Sequence, residues 1–379
     1  MTIANAASGG DAGSGLHFGW HLPVDLRFGA GCSDELAAAL GERSALVLAF
    51  APAETLGLRS RWTAALGARL RGWLSVPDGL SSIHRARHLA AEAWPLMDAG
   101  TVLIAVGGGT TLDLAKVLRC RPADGQFEPV AAALRGQAPW PKLQRAPLWL
   151  LPTTAGTGSE VTRWATVWDT EVEPACKRSL DEAWGYAERA FIDPALTLSC
   201  PPEVTRDTAL DTLAHALEAL WNRHANPASS ALAVQAARGV IAHLPALLDG
   251  PRDLALRTQL SLAALQAGMA FSQTRTALAH ALSYDLTLHQ GVPHGLACAL
   301  WLPTAWQLAV GRSPDTDAAL AQVFDRPATE GAAALQNWLH GVGVSTSPAA
   351  FTALGLHDAA ERVQAALESP RGRNFIGAD

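Results

Sequence analysis

The stretch "AVGGGTTLDLAK" (105–116) decides how this chain is read. An apolar run breaks at three consecutive glycines and resumes with helical spacing, which is a strand, a tight turn and a helix. Glycines let backbone approach a phosphate closely, and a helix N-terminus offers free N–H groups with a positive dipole end. Gly107, Gly108, Gly109 and Thr110 are therefore expected to cradle a pyrophosphate, with Asp113 in the first helical turn and Lys116 one turn later. The spacing is not GxGxxG, so the turn alone serves equally as a plain connection.

Working outward, "VDLRFG" (24–29), "ALVLAF" (45–50), "TVLIAVGGG" (101–109), "PLWLLPTT" (147–154) and "ATVWD" (165–169) read as strands. Between several of them lie helical patterns such as "DELAAALG" and "HRARHLAAEAWPLMD". Alternation of this kind predicts a mainly parallel sheet covered by helices. Past "FIDPALTLSCPPEV" (191–204) the chain turns Ala- and Leu-rich with helical spacing. The expected organisation is a tail over 1–16, an α/β domain over 17–200 and an all-helical domain over 201–379, with a ligand cleft between the domains.

A second small-residue loop, "PTTAGTGSEVT" (152–162), leaves a strand. Its Thr153, Thr154, Thr157 and Ser159 offer hydroxyls, and two loops at strand C-terminal ends point to a nucleotide crevice. In "DTLAHALEALW" (211–221), Asp211 and His215 stand four apart on one helix face, able to share a metal ion. In "ALAHALSYDLTLHQGVPHGLA" (277–297), His280 sits in a helical pattern with Tyr284 one turn on, and His294 opens the next helix. One Asp and three His form an N/O set suited to Zn²⁺ or Fe²⁺. His224, His243, His340 and His357 fall in polar helical contexts and are assigned to the surface.

The totals narrow the classes. The 379 residues are 49% hydrophobic with a net charge of −6 and no long basic run, which argues against nucleic acid and against an anionic membrane. The longest apolar run, near Leu296 to Val310, contains Pro303 and Gln307 and is too short to span a bilayer. The N-terminus lacks the basic start and apolar stretch of a signal peptide. Five scattered cysteines without a CxxC pair fit reduced thiols in a cytoplasm.

With "GGGTTLDLAK", "PTTAGTGSEVT", "DTLAHALEALW" and "LAHALSYDLTLHQGVPHG" in this order, the chain from about Leu22 to Pro370 resembles the iron-containing (group III) alcohol dehydrogenase family. The resemblance implies a Rossmann-like N-terminal domain binding NADH or NADPH, followed by a helical domain binding one divalent metal, the dehydroquinate synthase-like fold. It also implies Asp211, His215, His280 and His294 as metal ligands, Gly107 to Thr110 with Asp113 at the pyrophosphate, the four loop hydroxyls on the nucleotide, and Lys177 near the cofactor. Many members carry a histidine where this chain has Tyr284, which makes Tyr284 the candidate proton donor.

"HALSYDLT", "TRWATVWD" and "KRSLDEAWGYAERAFIDP" look most like the branch reducing phosphonoacetaldehyde to 2-hydroxyethylphosphonate, although Asp285 stands where that branch is expected to have proline. The alternatives are a generalist short-chain alcohol or sulfoacetaldehyde dehydrogenase of the same family and a dehydroquinate synthase-type lyase, whose ligand set is smaller and begins with Glu. The expected partner is a small anionic aldehyde, with room for a homodimer. Arg163 and Arg275, each beside a site motif, are the expected binders of the anionic head, ahead of Arg178, Arg371 and Arg373. After "ALVLAF" the chain places Phe50 and Ala51 where a strict NAD enzyme carries an acid, with Arg59 and Arg61 beyond. NADPH is therefore expected to be accepted, with Glu54 still within reach of the ribose.

Overall fold

The computed structural model describes residues 17–54 and 56–378, so the expected tail over 1–16 lies outside the described residues. Among the described residues, ten strands form in the first half: β1 (Asp25–Phe28), β2 (Ala45–Phe50), β3 (Leu70–Val76), β4 (Val102–Gly107), β5 (Cys120–Pro122), β6 (Leu143–Arg145), β7 (Leu148–Pro152), β8 (Trp164–Asp169), β9 (Cys176–Asp181) and β10 (Arg189–Ile192). Six of them pair in parallel in the order β1-β10-β7-β4-β2-β3. Helices α1 (Leu36–Leu40), α2 (Leu58–Leu66), α3 (Ile83–Ala93), α4 (Gly109–Leu118) and α5 (Glu128–Leu134) lie among them.

The inner strands are apolar without alternation because both sheet faces are covered. Leu46, Leu48 and Leu103 pack with Ile83, Leu89 and Leu112 on one face. Val47, Ile104 and Val106 pack with Leu36, Leu58 and Trp62 on the other.

Five strands lie outside the expected ones, and two of them, β5 and β6, form a short antiparallel pair of three residues each. Arg71 and Gly72 interrupt β3 at the sheet edge, where a weaker apolar signal suffices. Strand β10 is four residues long and begins with Arg189. Strand β9 pairs antiparallel with the expected strand β8 as a separate ribbon, outside the main sheet.

Helices α6 (Pro202–Leu220), α7 (Pro227–Asp249), α8 (Leu254–Thr274), α9 (Leu278–Gln290) and α10 (His294–Ala299) follow, with further helices out to Glu368. Nearly every side chain of α6 from Ala209 onward is buried, so this helix is the axis of the second core. Helix α7 has the length and apolar composition to cross a bilayer. Its Ala233, Ala237, Val240 and Leu244 are spent in the helical core.

Gly295 lets α10 lie directly on α6, since a Cβ there would overlap the carbonyl oxygen of Asp207 and meet Asp211 N at 2.8 Å. Gly295→Ala must push the helices apart, and we expect a loss of about 1–3 kcal/mol, the scale of overpacking in a tight core. Urea unfolding checks it, and an unchanged midpoint would mean that α10 is not held this closely.

Candidate active site

Strands β4 and β7 are neighbours, and Thr153 N donates to Gly107 O at 3.0 Å, so the glycine turn and the Ser/Thr loop leave the sheet side by side. A Cβ on Gly107 would lie 2.5 Å from Thr111 Oγ1, and one on Gly109 would lie 2.6 Å from Thr157 Cγ2. Gly109 thus packs against the Ser/Thr loop and Gly107 against the first turn of the helix that follows it, and a side chain at either would force a threonine to shift. Thr154 stands 3.6 Å (Oγ1) from where a Gly108 Cβ would be.

Asp113 ties this corner together. Its Oδ1 accepts from Ser159 Oγ at 2.7 Å and its Oδ2 from Thr166 N at 2.8 Å. Burial pushes this carboxyl up. Lys116 Nζ donates to the carbonyls of Thr162 (2.8 Å) and Trp164 (2.6 Å), and burial pulls it down to about 8. Asp113 and Lys116 thus hold the loops in shape.

A cavity of about 380 Å³ joins this corner to the helical half. Gly109, Thr110, Asp113, Thr157 and Ser159 line one end, and Asp211, His215, His280 and His294 line the other. Gly107, Gly108, Thr153 and Thr154 stand behind that lining, and Lys177 on β9 faces the cavity between the two ends.

The four expected ligands converge. The Nε2 atoms of His215, His280 and His294 lie 3.7, 3.5 and 3.9 Å from Asp211 Oδ1. Ligands about 2.1 Å from a shared ion stand about 3.4 Å apart in a tetrahedron, so the spacing is close to that of a coordination shell. Asp211 Oδ1 and His280 Nε2 are buried without a hydrogen-bond partner, an arrangement that costs stability unless a cation satisfies them. The donor set fits a divalent ion.

Two residues of the site were not anticipated. Glu218, fully buried one turn after His215, accepts His280 Nδ1 at 2.7 Å and the N–H groups of Ala277 (2.6 Å), Ala279 (2.5 Å) and His280 (3.3 Å). The carboxylate fixes the tautomer that leaves Nε2 free as a ligand atom. Its i, i+3 spacing from His215 was the available sign. The second is Cys298, whose Sγ forms with Asp211, His280 and His294 a set of ligand atoms all within 4.8 Å of one another. His215 is outside that set, its ring stacked on Phe271 with centroids 4.1 Å apart.

Burial pushes His215 down to about 3, keeping the imidazole neutral. Burial alone would raise Asp211, but the surrounding imidazoles of His215, His280 and His294 hold it well below the usual carboxylate range. Both groups are in the state a metal ion needs.

The arginines are placed differently from expectation. Arg163 Nε donates to Asp181 Oδ1 at 2.8 Å and does not line the cavity. Arg275, which does, is bound to the other oxygen of Asp181 at 3.1 Å. Arg178 leans on Asp169 at 3.6 Å, and Arg373 is exposed. Arg371 folds back into the cavity lining, donates to Thr276 Oγ1 and sits 5.6 Å from the Tyr284 ring centroid. Tyr284 is half-buried behind that lining, with Lys177 Nζ 4.2 Å from its ring centroid. Its hydroxyl has no hydrogen-bond partner among the described residues.

Replacing Asp211, His215, His280 or His294 by alanine should strip bound metal, while His289→Ala should leave it at the wild-type level. His289 lies between two ligands in sequence but is exposed and turned to Asp285 at 3.8 Å. Glu218→Gln should retain the ion with about 10–100-fold weaker affinity. Elemental analysis and metal titration decide, and an empty site in His289→Ala together with a full one in His280→Ala would overturn the assignment.

The profile described as "Iron-containing alcohol dehydrogenase" matches residues 23–194, and that for the "Fe-containing alcohol dehydrogenase family, C-terminal" matches residues 205–363. The chain is 36% identical over 206 residues to the probable alcohol dehydrogenase EutG of Escherichia coli strain K12, a match covering 54% of this chain and 50% of that protein. It is 31% identical over 228 residues to the sulfoacetaldehyde reductase of Bilophila wadsworthia, covering 59% and 56%. The matches thus span about half the length of these curated relatives. In structure it is similar to a sulfoacetaldehyde reductase from Bifidobacterium kashiwanohense in complex with NAD+, at a TM-score of 0.83 and 23% identity over 95% of each chain. Two profiles of one family, meeting in order along the chain, place it: the chain belongs to the iron-containing alcohol dehydrogenase family.

Proposed function

We propose that this chain is a metal-dependent NAD(P)H aldehyde reductase acting on a small aldehyde with an anionic head, phosphonoacetaldehyde first, with 2-hydroxyethylphosphonate as product. The domain boundary is assigned near Cys200, with the cofactor loops before it and the metal ligands after it. The observation that carries the substrate reading is the pair Lys177 and Arg371. Both face the same cavity as the metal cluster, and among the described residues neither has a carboxylate within 4.0 Å. Arg163 and Arg275 share Asp181 and are already neutralised. Burial also lowers the Lys177 amine, a cost that an arriving anion would offset. A sulfonate head is the second reading, supported by the 31% identity to the sulfoacetaldehyde reductase of Bilophila wadsworthia.

When bound, a divalent cation supplies Lewis acidity at the aldehyde oxygen and the nicotinamide supplies the hydride. Asp211, His215, His280 and His294 hold the cation, and the turn from Gly107 to Thr110 with the start of α4 receives the pyrophosphate. Thr157 and Ser159 line the nucleotide end. Phe271 stacks on both His215 and Trp164 and screens the ligands from water. We assign the proton delivered to the product oxygen to the Tyr284 hydroxyl. Beyond β2, Glu54 binds Arg59 at 2.5 Å and Arg61 binds Asp34 at 3.2 Å. With Glu54 occupied, the strand end repels a 2′-phosphate less, so NADPH is accepted beside NADH.

A panel of phosphonoacetaldehyde, sulfoacetaldehyde and propanal, assayed with both cofactors, tests the reading. Arg371→Met should lower kcat/KM for the anionic aldehyde by about 2–4 kcal/mol and barely change propanal, whereas Lys177→Met, beside the cofactor and Tyr284, should lower both. Equal efficiency of the wild-type protein on propanal and phosphonoacetaldehyde would sink it.

Tyr284→Phe should cut turnover roughly ten- to a thousandfold with metal content unchanged, near the usual range of proton-transfer assistance. Full turnover in that variant would leave Tyr284 a packing residue.

A further inference from the structure

Arginines at this cavity are held in two different ways. Asp181 takes Arg163 at 2.8 Å and Arg275 at 3.1 Å, which fixes both guanidinium groups and neutralises them. Arg371 instead donates to the Thr276 hydroxyl, its one hydrogen-bond partner among the described residues, and lies 5.6 Å from the centre of the Tyr284 ring. A neutral acceptor orients a guanidinium without neutralising it, and the remaining N–H donors stay available. Thr276 is itself fixed. It is buried, lines the cavity and directly precedes Ala277, whose N–H donates to Glu218 at 2.6 Å. Glu218 also orients His280, so Thr276 ties the Arg371 guanidinium to the same framework as the metal ligands.

The ordinary account is that this bond tacks the chain end down. Other groups already do that. Asn374 Nδ2 donates to Thr276 O at 2.9 Å, and Arg223 N donates to Asn374 O at 2.9 Å. Ile376 N donates to Trp221 O at 3.0 Å, Arg223 Nη2 donates to Ala378 O at 2.8 Å, and Phe375 is fully buried. None of these contacts uses the Thr276 hydroxyl. We infer that Thr276 is a positioning residue for anion recognition, its hydroxyl aiming the Arg371 guanidinium at the charged head of a substrate whose carbonyl lies at the metal cluster. The inference rests on the anion-binding role proposed for Arg371. Without the hydroxyl the guanidinium samples several rotamers, and the entropy of ordering it then opposes binding.

The test uses the metal- and NADH-loaded protein with methylphosphonate, an anion that carries the head without a carbonyl. With NADH bound, the pyrophosphate loops are filled and take no part. Calorimetric titration should show methylphosphonate binding to wild type, about tenfold weaker binding to Thr276→Val, the scale of one hydrogen bond to a charged group, and recovery in Thr276→Ser. In an Arg371→Met background, Thr276→Val should cause no further loss. With phosphonoacetaldehyde, Thr276→Val should raise KM about tenfold and leave kcat within about twofold, a split that loosened packing at the metal would not give. Thr276→Ala takes the place of Thr276→Val if the valine variant does not fold. Unchanged methylphosphonate affinity in the hydroxyl-free variant, no binding to wild type, or a further loss in the Arg371→Met background overturns the inference. The expected pattern of affinities in a protein that reduces propanal as efficiently as phosphonoacetaldehyde would remove the substrate reading and leave the positioning role standing.

Discussion

The carboxylate of Glu218 holds the site together. It is a buried anion at the start of α9, where helix N–H groups lack intrahelical partners and the helix dipole favours negative charge. The residue preceding α9 is Ala277, which has no side chain to cap with. Glu218 performs that capping from α6, through three backbone N–H groups, and with its remaining capacity orients His280. A buried carboxylate is costly unless fully hydrogen-bonded, and this one is satisfied only when α9 sits where His280 meets Asp211. Helix placement and ligand geometry are thus one constraint.

On the other side of the cavity the logic is steric. The parallel sheet brings the ends of β4 and β7 together, and the absent side chain of Gly109 lets the turn mesh with Thr157 of the second loop. The cofactor end is shaped by close backbone packing, the metal end by paired charges. The Asp181 carboxylate, gripping Arg163 and Arg275 at once, joins the β8–β9 ribbon to the end of α8. Arg275 takes a left-handed φ of 74° there, a backbone state that an L-residue keeps only when its neighbours fix it.

What the sequence disclosed follows from the same physics. The runs "ALVLAF" and "TVLIAVGGG" are legible because two-sided burial leaves no polar positions, and Asp211 with His215 is legible because helical spacing is local. Edge strand β3, with Arg71 and Gly72, carries half the burial and half the signal. Cys298 reads as core in an Ala- and Leu-rich helix, since its neighbours Asp211 and His280 arrive from other helices. Arg163 and Arg275 looked free because their partner Asp181 is distant in sequence. Arg371 needed the chain end to fold back, which turns on Gly372, where a Cβ would overlap the carbonyl oxygen of Ala366. Local patterns reached the ligands, while neutralisation and closure were set by contacts far apart in the chain.

The buried Asp113 carboxylate has a consequence for how such a cofactor corner changes over evolutionary time. It accepts one hydrogen bond from Ser159 and another from Thr166, residues on two different segments. Losing the Ser159 hydroxyl strands half of a buried acid, and losing the acid strands an N–H and a hydroxyl together. A change at 113 or 159 alone therefore costs stability that a paired change avoids, and a graft that transplants the glycine turn from another dehydrogenase has to bring the Ser/Thr loop with it.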